Sequence, residues 1–168
     1  GLATTAKAQS CPSDSALAHA LSFRNIGPAL MDGRITSIAA APNASGQWGT
    51  GFYIGAATGG VWRSENAGVS WTPVFDSVRA GGVGAVAVAP SDPDVIWVGT
   101  GEANNMRSSS WGTGVYNSTN GGKTWSAAML PTSQHIGRIV IDPRDPNVVY
   151  VAAVGSTYGL EVLDPPVP

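Results

Sequence analysis

The sequence predicts an all-β fold, a partial (open) β-propeller of two to three four-stranded antiparallel blades with an extended N-terminal arm. Three observations predict it. An alternating strand that ends in proline recurs three times, and a Ser-x-Asn-x-Gly-x-x-Trp pattern recurs after 54 residues. Glycine (22) and proline (12) are frequent in the 168 residues while 43% are hydrophobic, which is typical of many short strands joined by tight turns.

The first repeated element is a strand that lies at residues 33–42, 83–90 and 136–143. Its closing prolines, Pro42, Pro90 and Pro143, are spaced by 48 and 53 residues. Self-similarity at a period of this size is the mark of a repeat architecture, and the spacing fits one four-stranded blade per repeat.

A turn and a second strand follow each proline. Asp, Asn and Pro form turns at 91–94 and 144–147, while a longer loop takes this place at 43–50. The second strands, at 52–55, 95–99 and 148–152, are continuously apolar. This character predicts strands that are buried on both faces, as expected where blades stack.

A hairpin then carries the Ser-x-Asn-x-Gly-x-x-Trp pattern, at residues 64–71 (box 1) and 118–125 (box 2). Asn and Gly accept the positive φ of a tight turn, and Ser and Asn side chains can bond the turn backbone. Trp is expected to pack between strands. The predicted structural residues of the two boxes are Ser64, Asn66, Gly68, Trp71, Ser118, Asn120, Gly122 and Trp125.

The pattern resembles the Asp-box, or BNR repeat, of sialidase-type, sortilin-type and xyloglucanase-type β-propellers, over about residues 23–153. That superfamily includes the photosystem II stability/assembly factors, which are propellers without hydrolase activity. The resemblance implies that the boxes are structural. Asn66 and Asn120 stand where the family usually has Asp, but Asn keeps the acceptor oxygen, so the turn is expected to survive.

No catalytic residues are predicted. The resemblance to xyloglucanase-type propellers implies an aspartate in the loop that here spans residues 56–60, and no carboxylate stands there. Glycoside hydrolysis normally needs two positioned carboxyl groups. Glu102 is the one carboxylate that follows a strand in a long loop, and a lone Glu is more often a structural or solvated group. The sialidase arginine cluster is not discernible, so the protein is expected not to be an enzyme.

Several other classes of site are not expected. The only histidines are His19 and His135 and the only cysteine is Cys11, which argues against a His/Cys metal site. No phosphate-binding glycine loop is present, so no cofactor is predicted. Charged residues make up 12% with a net charge of −2, which argues against nucleic acid as a partner. Cys11 could be free, bonded to another chain or lipidated.

The predicted organisation is an N-terminal arm (1–22), the repeats (23–155) and a Pro-rich tail (156–168). A small-x-small sequence at 6–8 resembles a signal-cleavage site and favours a periplasmic or extracellular protein. No run approaches the ~20 apolar residues of a transmembrane helix, so any membrane association is expected to be peripheral. The partner-binding candidates are Arg107, Trp111, Leu17, Leu21, Phe23 and Tyr158.

An open stack has exposed blade faces and strand edges, which invite association. The first hypothesis is therefore a non-catalytic, membrane-extrinsic scaffold that stabilises a larger complex. The resemblance to photosystem factors suggests a photosynthetic reaction-centre complex as its host. The alternatives are a carbohydrate-binding fragment of a glycoside-hydrolase-like propeller and a self-assembling homo-oligomer. The sequence leaves open whether the chain is a fragment of a longer propeller.

Overall fold

A computed structural model describes residues 34–43, 45–104, 109–126 and 128–154, which form strands and turns. Within these ranges no helix is long and apolar enough to cross a membrane. The strands, in chain order, are β1 (Ile35–Ala41), β2 (Gly51–Ala56), β3 (Gly60–Ser64), β4 (Thr72–Pro73), β5 (Val83–Val88), β6 (Ile96–Thr100), β7 (Val115–Ser118), β8 (Ile136–Ile141) and β9 (Val149–Ala153).

The strands form three antiparallel sheets, one for each sequence repeat. Blade 1 has the order β1-β2-β3-β4, blade 2 has β5-β6-β7, and blade 3 has β8-β9. Four strands per blade are thus found in blade 1 alone among the described residues. Even there β4 has only two residues, followed by one further backbone bond from Val74 N to Val61 O at 3.0 Å. In blade 2 the fourth strand is reduced to one bridge between Val115 and Met129.

The three inner strands, β1, β5 and β8, share an irregularity at their first residues. The pairing of each with its hairpin partner shifts register at Ile35/Ser37, Val83/Ala85 and Ile136/Arg138. Just before each shift, a carbonyl accepts a bond of 2.8–2.9 Å from the residue that follows the partner strand. The three bonds run from Ala57 N to Arg34 O, from Gly101 N to Gly82 O and from Val154 N to His135 O. Residues of different blades can therefore be matched position by position.

The blades stack through two separate apolar cores. The core between blades 1 and 2 includes Tyr53, Val61, Phe75, Val83, Val86, Ile96, Val98 and Tyr116. The core between blades 2 and 3 includes Ala85, Ala89, Val95, Val115, Ile136, Ile139 and Ile141. Side-chain hydroxyls also join inner strands, since Thr36 Oγ1 donates to Val83 O at 2.6 Å and Ser37 Oγ accepts from Val86 N at 3.0 Å.

Glycines allow blades 2 and 3 to approach closely. A Cβ added to Gly99 of β6 would lie 2.6 Å from the Cβ of Ile136, which is fully buried. A Cβ added to Gly84 of β5 would overlap the carbonyl oxygens of Gly101 and Ile136. The absence of side chains at these two positions therefore sets the distance between the blades.

The second strands of the three repeats differ in burial. β2 and β6 are largely buried, as predicted, but β9 is partly to fully exposed along its length. The prediction that residues 148–152 are buried on both faces is wrong. The physical reason is that β8 covers β9 along one edge while no blade of the described residues lies against its outer face.

Candidate functional site

The stack has two chemically different ends. We call the end at which β1, β5 and β8 begin the upper end. It carries the β2–β3 and β6–β7 loops. We call the opposite end the box end, because both boxes lie there, together with the β1–β2, β5–β6 and β8–β9 turns. A functional site has to be sought at one of these ends or in the grooves between blades.

The two boxes have the same internal hydrogen bonds. In box 1, Ser64 Oγ donates to Asn66 Oδ1 at 3.1 Å and accepts from Gly68 N at 2.9 Å. In box 2, Ser118 Oγ donates to Asn120 Oδ1 at 2.9 Å and accepts from Gly122 N at 2.9 Å. These bonds satisfy backbone groups of the turn and leave Ser64 and Ser118 buried. The two serine side chains therefore stabilise the turns of the boxes.

The Asn side chains of the boxes also bond forward along the turn. Asn66 Oδ1 accepts from Ser70 N, and Asn120 Oδ1 accepts from Thr124 N, each at 2.9 Å. The side-chain nitrogens donate to the hydroxyls of the same two residues, at 2.9 and 2.7 Å. The amide nitrogen thus supplies a donor that an aspartate would lack, and the turn forms with Asn at this position.

Trp125 joins blades rather than strands of one blade. Its Nε1 donates to Val74 O of blade 1 at 2.6 Å, and its ring meets Phe75 edge-to-face at a centroid distance of 4.9 Å. Phe75 also meets Tyr116 edge-to-face at 5.6 Å. Trp71 of box 1 is half-buried. Trp125 thus packs against residues that follow β4 of the neighbouring blade.

A groove of about 750 Å³ lies between the two boxes. Arg63 crosses it, with its NH2 group 3.1 Å from Glu65 Oε1 and its guanidinium 5.4 Å from the centre of the Tyr53 ring. Asp76 and Lys123 also line the groove. Tyr53 OH donates to Gly121 O at 3.1 Å, and burial raises the pKa of Tyr53. Charges of both signs alternate here, so the groove favours no one class of ion.

An ion pair between the partly exposed Arg34 and a buried carboxylate organises the upper end. Arg34 Nε donates to Glu102 Oε1 at 2.8 Å, and its NH2 group bonds the second carboxylate oxygen. Asn104 Nδ2 is 3.3 Å from Glu102 Oε1. Glu102 is fully buried, and its hydrogen bond raises the pKa of Arg34. Because Arg34 precedes blade 1 and Glu102 follows β6, the pair ties the β6–β7 loop to the neighbouring blade.

The sequence alone indicated a structural or solvated role for Glu102 and did not pair it with Arg34. The two residues are 68 positions apart. A signal was present, because Arg34 occupies the last position before an inner strand and Glu102 the second position after the partner strand of the next blade. Stacking blades in register brings these two positions together.

Trp111 is presented outward at the upper end. Its side chain is 66% exposed. The backbone is held on both sides of it, since Ser110 O accepts from Glu102 N at 3.2 Å and Gly112 N donates to Gln134 O at 2.7 Å. Thr113 N also donates to Thr100 Oγ1 at 2.8 Å. An exposed indole on a fixed backbone can serve as a flat contact surface.

Two further features of the upper end were not predicted. The β2–β3 loop is closed by a 2.7 Å bond from Trp62 Nε1 to Gly59 O, which leaves Thr58 exposed beside it. His135 is fully buried, and neither ring nitrogen has a hydrogen-bond partner. Across the described ranges, no group of three or more His, Cys, Asp or Glu side chains is placed to hold a metal ion.

The remaining partner-binding candidates lie outside the described residues. They are Arg107 of the β6–β7 loop, Leu17, Leu21 and Phe23 of the N-terminal segment, and Tyr158 of the tail. Their roles stay predictions.

Comparison with known proteins shows partial similarity to one class of enzyme. No family model matches the chain. A xyloglucanase from Paenibacillus sp is 32% identical over 108 residues, which are 56% of this chain and 10% of the relative. A xyloglucanase from Hypocrea jecorina is 33% identical over 109 residues, 56% of this chain and 13% of the relative.

A solved structure gives the same result at the level of fold. The crystal structure of an ancestral GH74 enzyme has a TM-score of 0.53 and 22% identity, covering 70% of this chain and 16% of the enzyme. The all-β, open propeller-type fold is thereby confirmed. The chain is partly homologous to GH74 xyloglucanases, which are β-propeller enzymes of the Asp-box type, and it spans about a tenth of the curated relatives it matches.

Proposed function

We propose that this chain is a carbohydrate-binding part of a glycoside-hydrolase-like propeller, and that it binds a β-glucan of the xyloglucan class at its upper end. The observation that carries the proposal is the partial homology to xyloglucanases over more than half of the chain. The hypothesis of a scaffold in a photosynthetic complex has no comparable support and stays a prediction.

The chemistry of the upper end supports the proposal. A pyranose ring has an apolar C–H face that packs on an indole, and polar groups at its edge then fix its orientation. Trp111 supplies the indole, and Thr58 lies exposed in the loop of the adjacent blade. The Arg34–Glu102 pair is internally neutralised, so it holds the loop without placing an isolated charge beside a neutral sugar.

We further propose that the described residues contribute binding rather than catalysis. Glu102 is buried, and Arg34 binds both of its carboxylate oxygens, which leaves it poorly placed to exchange a proton with a glycosidic oxygen. The other described carboxylates lie in the box hairpin, in box-end turns or along the groove between the boxes. They are Glu65, Asp76, Asp92, Asp94, Asp142 and Asp145.

Two parallel assays test both parts of the proposal. Affinity electrophoresis through gels with xyloglucan, unbranched β-glucan or a sialylated glycan should retard the protein in xyloglucan. A reducing-end assay with the same polysaccharides should give no product. Absence of retardation in every gel would contradict glycan binding, and release of reducing ends would contradict the non-catalytic part alone.

A further inference from the structure

A separate pocket of about 460 Å³ lies between blades 1 and 2, on the side away from the inner strands. One wall is the segment that follows β4, and the other is the end of box 2 with the residue after it. Both walls therefore belong to blades that the structure describes. We call this the rim pocket, and its polar lining includes Ser77, Arg79, Lys123, Thr124 and Ser126.

Two cations line the rim pocket without a carboxylate to neutralise them. Arg79 and Lys123 are exposed, and within the described part of the chain neither belongs to an ion pair. No carboxylate lines this pocket. Glu65 and Asp76 line the neighbouring groove between the boxes instead. The rim pocket thus carries an uncompensated positive charge, whereas the charges of the groove are balanced.

The hydroxyl groups of the rim pocket are left as hydrogen-bond donors. Thr124 Oγ1 accepts from Asn120 Nδ2 at 2.7 Å, and Ser126 Oγ accepts from Asn117 N at 3.0 Å. Neither hydroxyl donates to another of the described residues, so each O–H remains available to a ligand. Two cations and two free O–H groups, with no carboxylate among them, match the acceptor oxygens of an oxyanion.

The apolar part of the lining is fixed in place. It includes Val78 and the partly exposed ring of Trp125. The bond from Trp125 Nε1 to Val74 O and the edge-to-face contact with Phe75 hold this ring against blade 1. The C–H face of a sugar ring packs on such a surface, whereas a bare inorganic oxyanion has no apolar surface to bury there.

From this lining we infer that the rim pocket binds a sugar acid, a pyranose ring that carries a carboxylate. Arg79 and Lys123 bind the carboxylate, and Trp125 contacts the ring. The volume of about 460 Å³ falls within the ~300–1,000 Å³ of small-molecule pockets. The site is independent of the glucan site proposed at the upper end, because Trp111 does not line it.

An NMR titration of the full ¹⁵N-labelled chain with sodium glucuronate tests the inference, with glucose and inorganic phosphate as comparison ligands at the same ionic strength. Glucuronate should give saturable shifts of the backbone amides of Lys123 and Thr124 and of the Trp125 indole N–H. Glucose lacks the charge and phosphate lacks the ring, so each should bind at least about 10-fold more weakly than glucuronate.

Charge-removing variants identify the site. Arg79→Gln and Lys123→Gln should each weaken glucuronate binding by about 10-fold, and both side chains are exposed, so the circular dichroism spectrum should not change. Arg138→Gln is the matched control, because Arg138 is an exposed cation of β8 outside the pocket, and it should bind glucuronate like the wild type. The inference is overturned by a wild type without saturable shifts, by equal affinity for glucose or phosphate, or by unchanged binding in both pocket variants.

Discussion

The same Ser→Ala substitution can be made in both boxes, where the backbone N–H that loses its acceptor is buried in box 2 and half-exposed in box 1. Ser118→Ala removes the acceptor for Gly122 N, and the region around that N–H is buried. A buried N–H without a partner costs about 1–3 kcal/mol, and the lost bond to Asn120 adds about 1 kcal/mol. The expected loss in the free energy of unfolding is therefore about 2–4 kcal/mol.

Ser64→Ala makes the same change in box 1 and should cost about 1 kcal/mol. Gly68 N lies in a half-exposed turn, so water can replace the serine hydroxyl there. Urea denaturation followed by tryptophan fluorescence measures both. With a slope of about 2 kcal/mol per M, the midpoints should fall by ~1–2 M for Ser118→Ala and by ~0.5 M for Ser64→Ala. Equal shifts, or a larger shift for Ser64→Ala, would refute the burial argument.

Three further predictions concern the contacts between blades. Gly99→Ala should lower the free energy of unfolding by about 1–3 kcal/mol because its Cβ would press on Ile136, whereas Gly81→Ala, with 3.5 Å of clearance, should stay within about 0.5 kcal/mol in the same denaturation assay. Burial raises the pKa of Tyr53, so its contribution to stability is fully present below pH ~10 and is lost as the pH rises through the higher pKa of the folded protein. Between pH 8 and pH 11, the free energy of unfolding should therefore fall less for Tyr53→Phe than for the wild type. Arg34→Gln should lower the melting temperature because Glu102 stays buried without its cation. Adding Glu102→Gln to this variant should recover part of the lost melting temperature. A double variant whose loss equals the sum of the two single losses would contradict the pairing.

The repeats and the stacked sheets could be predicted because both depend on local patterns. Alternating strands that end in proline, and the turn from Ser64 to Trp71, specify each hairpin without reference to distant residues. The matching turn in blade 2 lies 54 residues further along the chain and indicates the length of one repeat. The contact of Trp125 with Val74 and the pair of Arg34 with Glu102 were not predictable in the same way, because both join different blades. Such contacts depend on how the blades stack, which the pattern within one repeat does not specify.

The number of strands per blade was also only partly predictable. Hairpin patterns predict that a fourth strand follows each box, but its length depends on the residues that come next. In blade 1 the fourth strand is limited to Thr72–Pro73 and one bond from Val74 N to Val61 O, and in blade 2 Leu130, with a φ of +52°, follows the single bridge at Met129. A left-handed conformation at a leucine has no clear mark in the sequence.

Isothermal titration of a xyloglucan oligosaccharide into the wild type, Trp111→Ala and Trp48→Ala tests the proposed glycan site most directly. Trp48 is 51% exposed and lies in the β1–β2 loop at the box end, so it controls for the loss of an exposed indole. A nucleic-acid base stacked on an aromatic side chain contributes about 1–3 kcal/mol, and we expect a similar contribution for a sugar ring, so Trp111→Ala should weaken binding by about 5- to 150-fold. Trp48→Ala should bind like the wild type. Equal affinity of all three proteins, or no heat of binding with the wild type, would contradict glycan binding at the upper end.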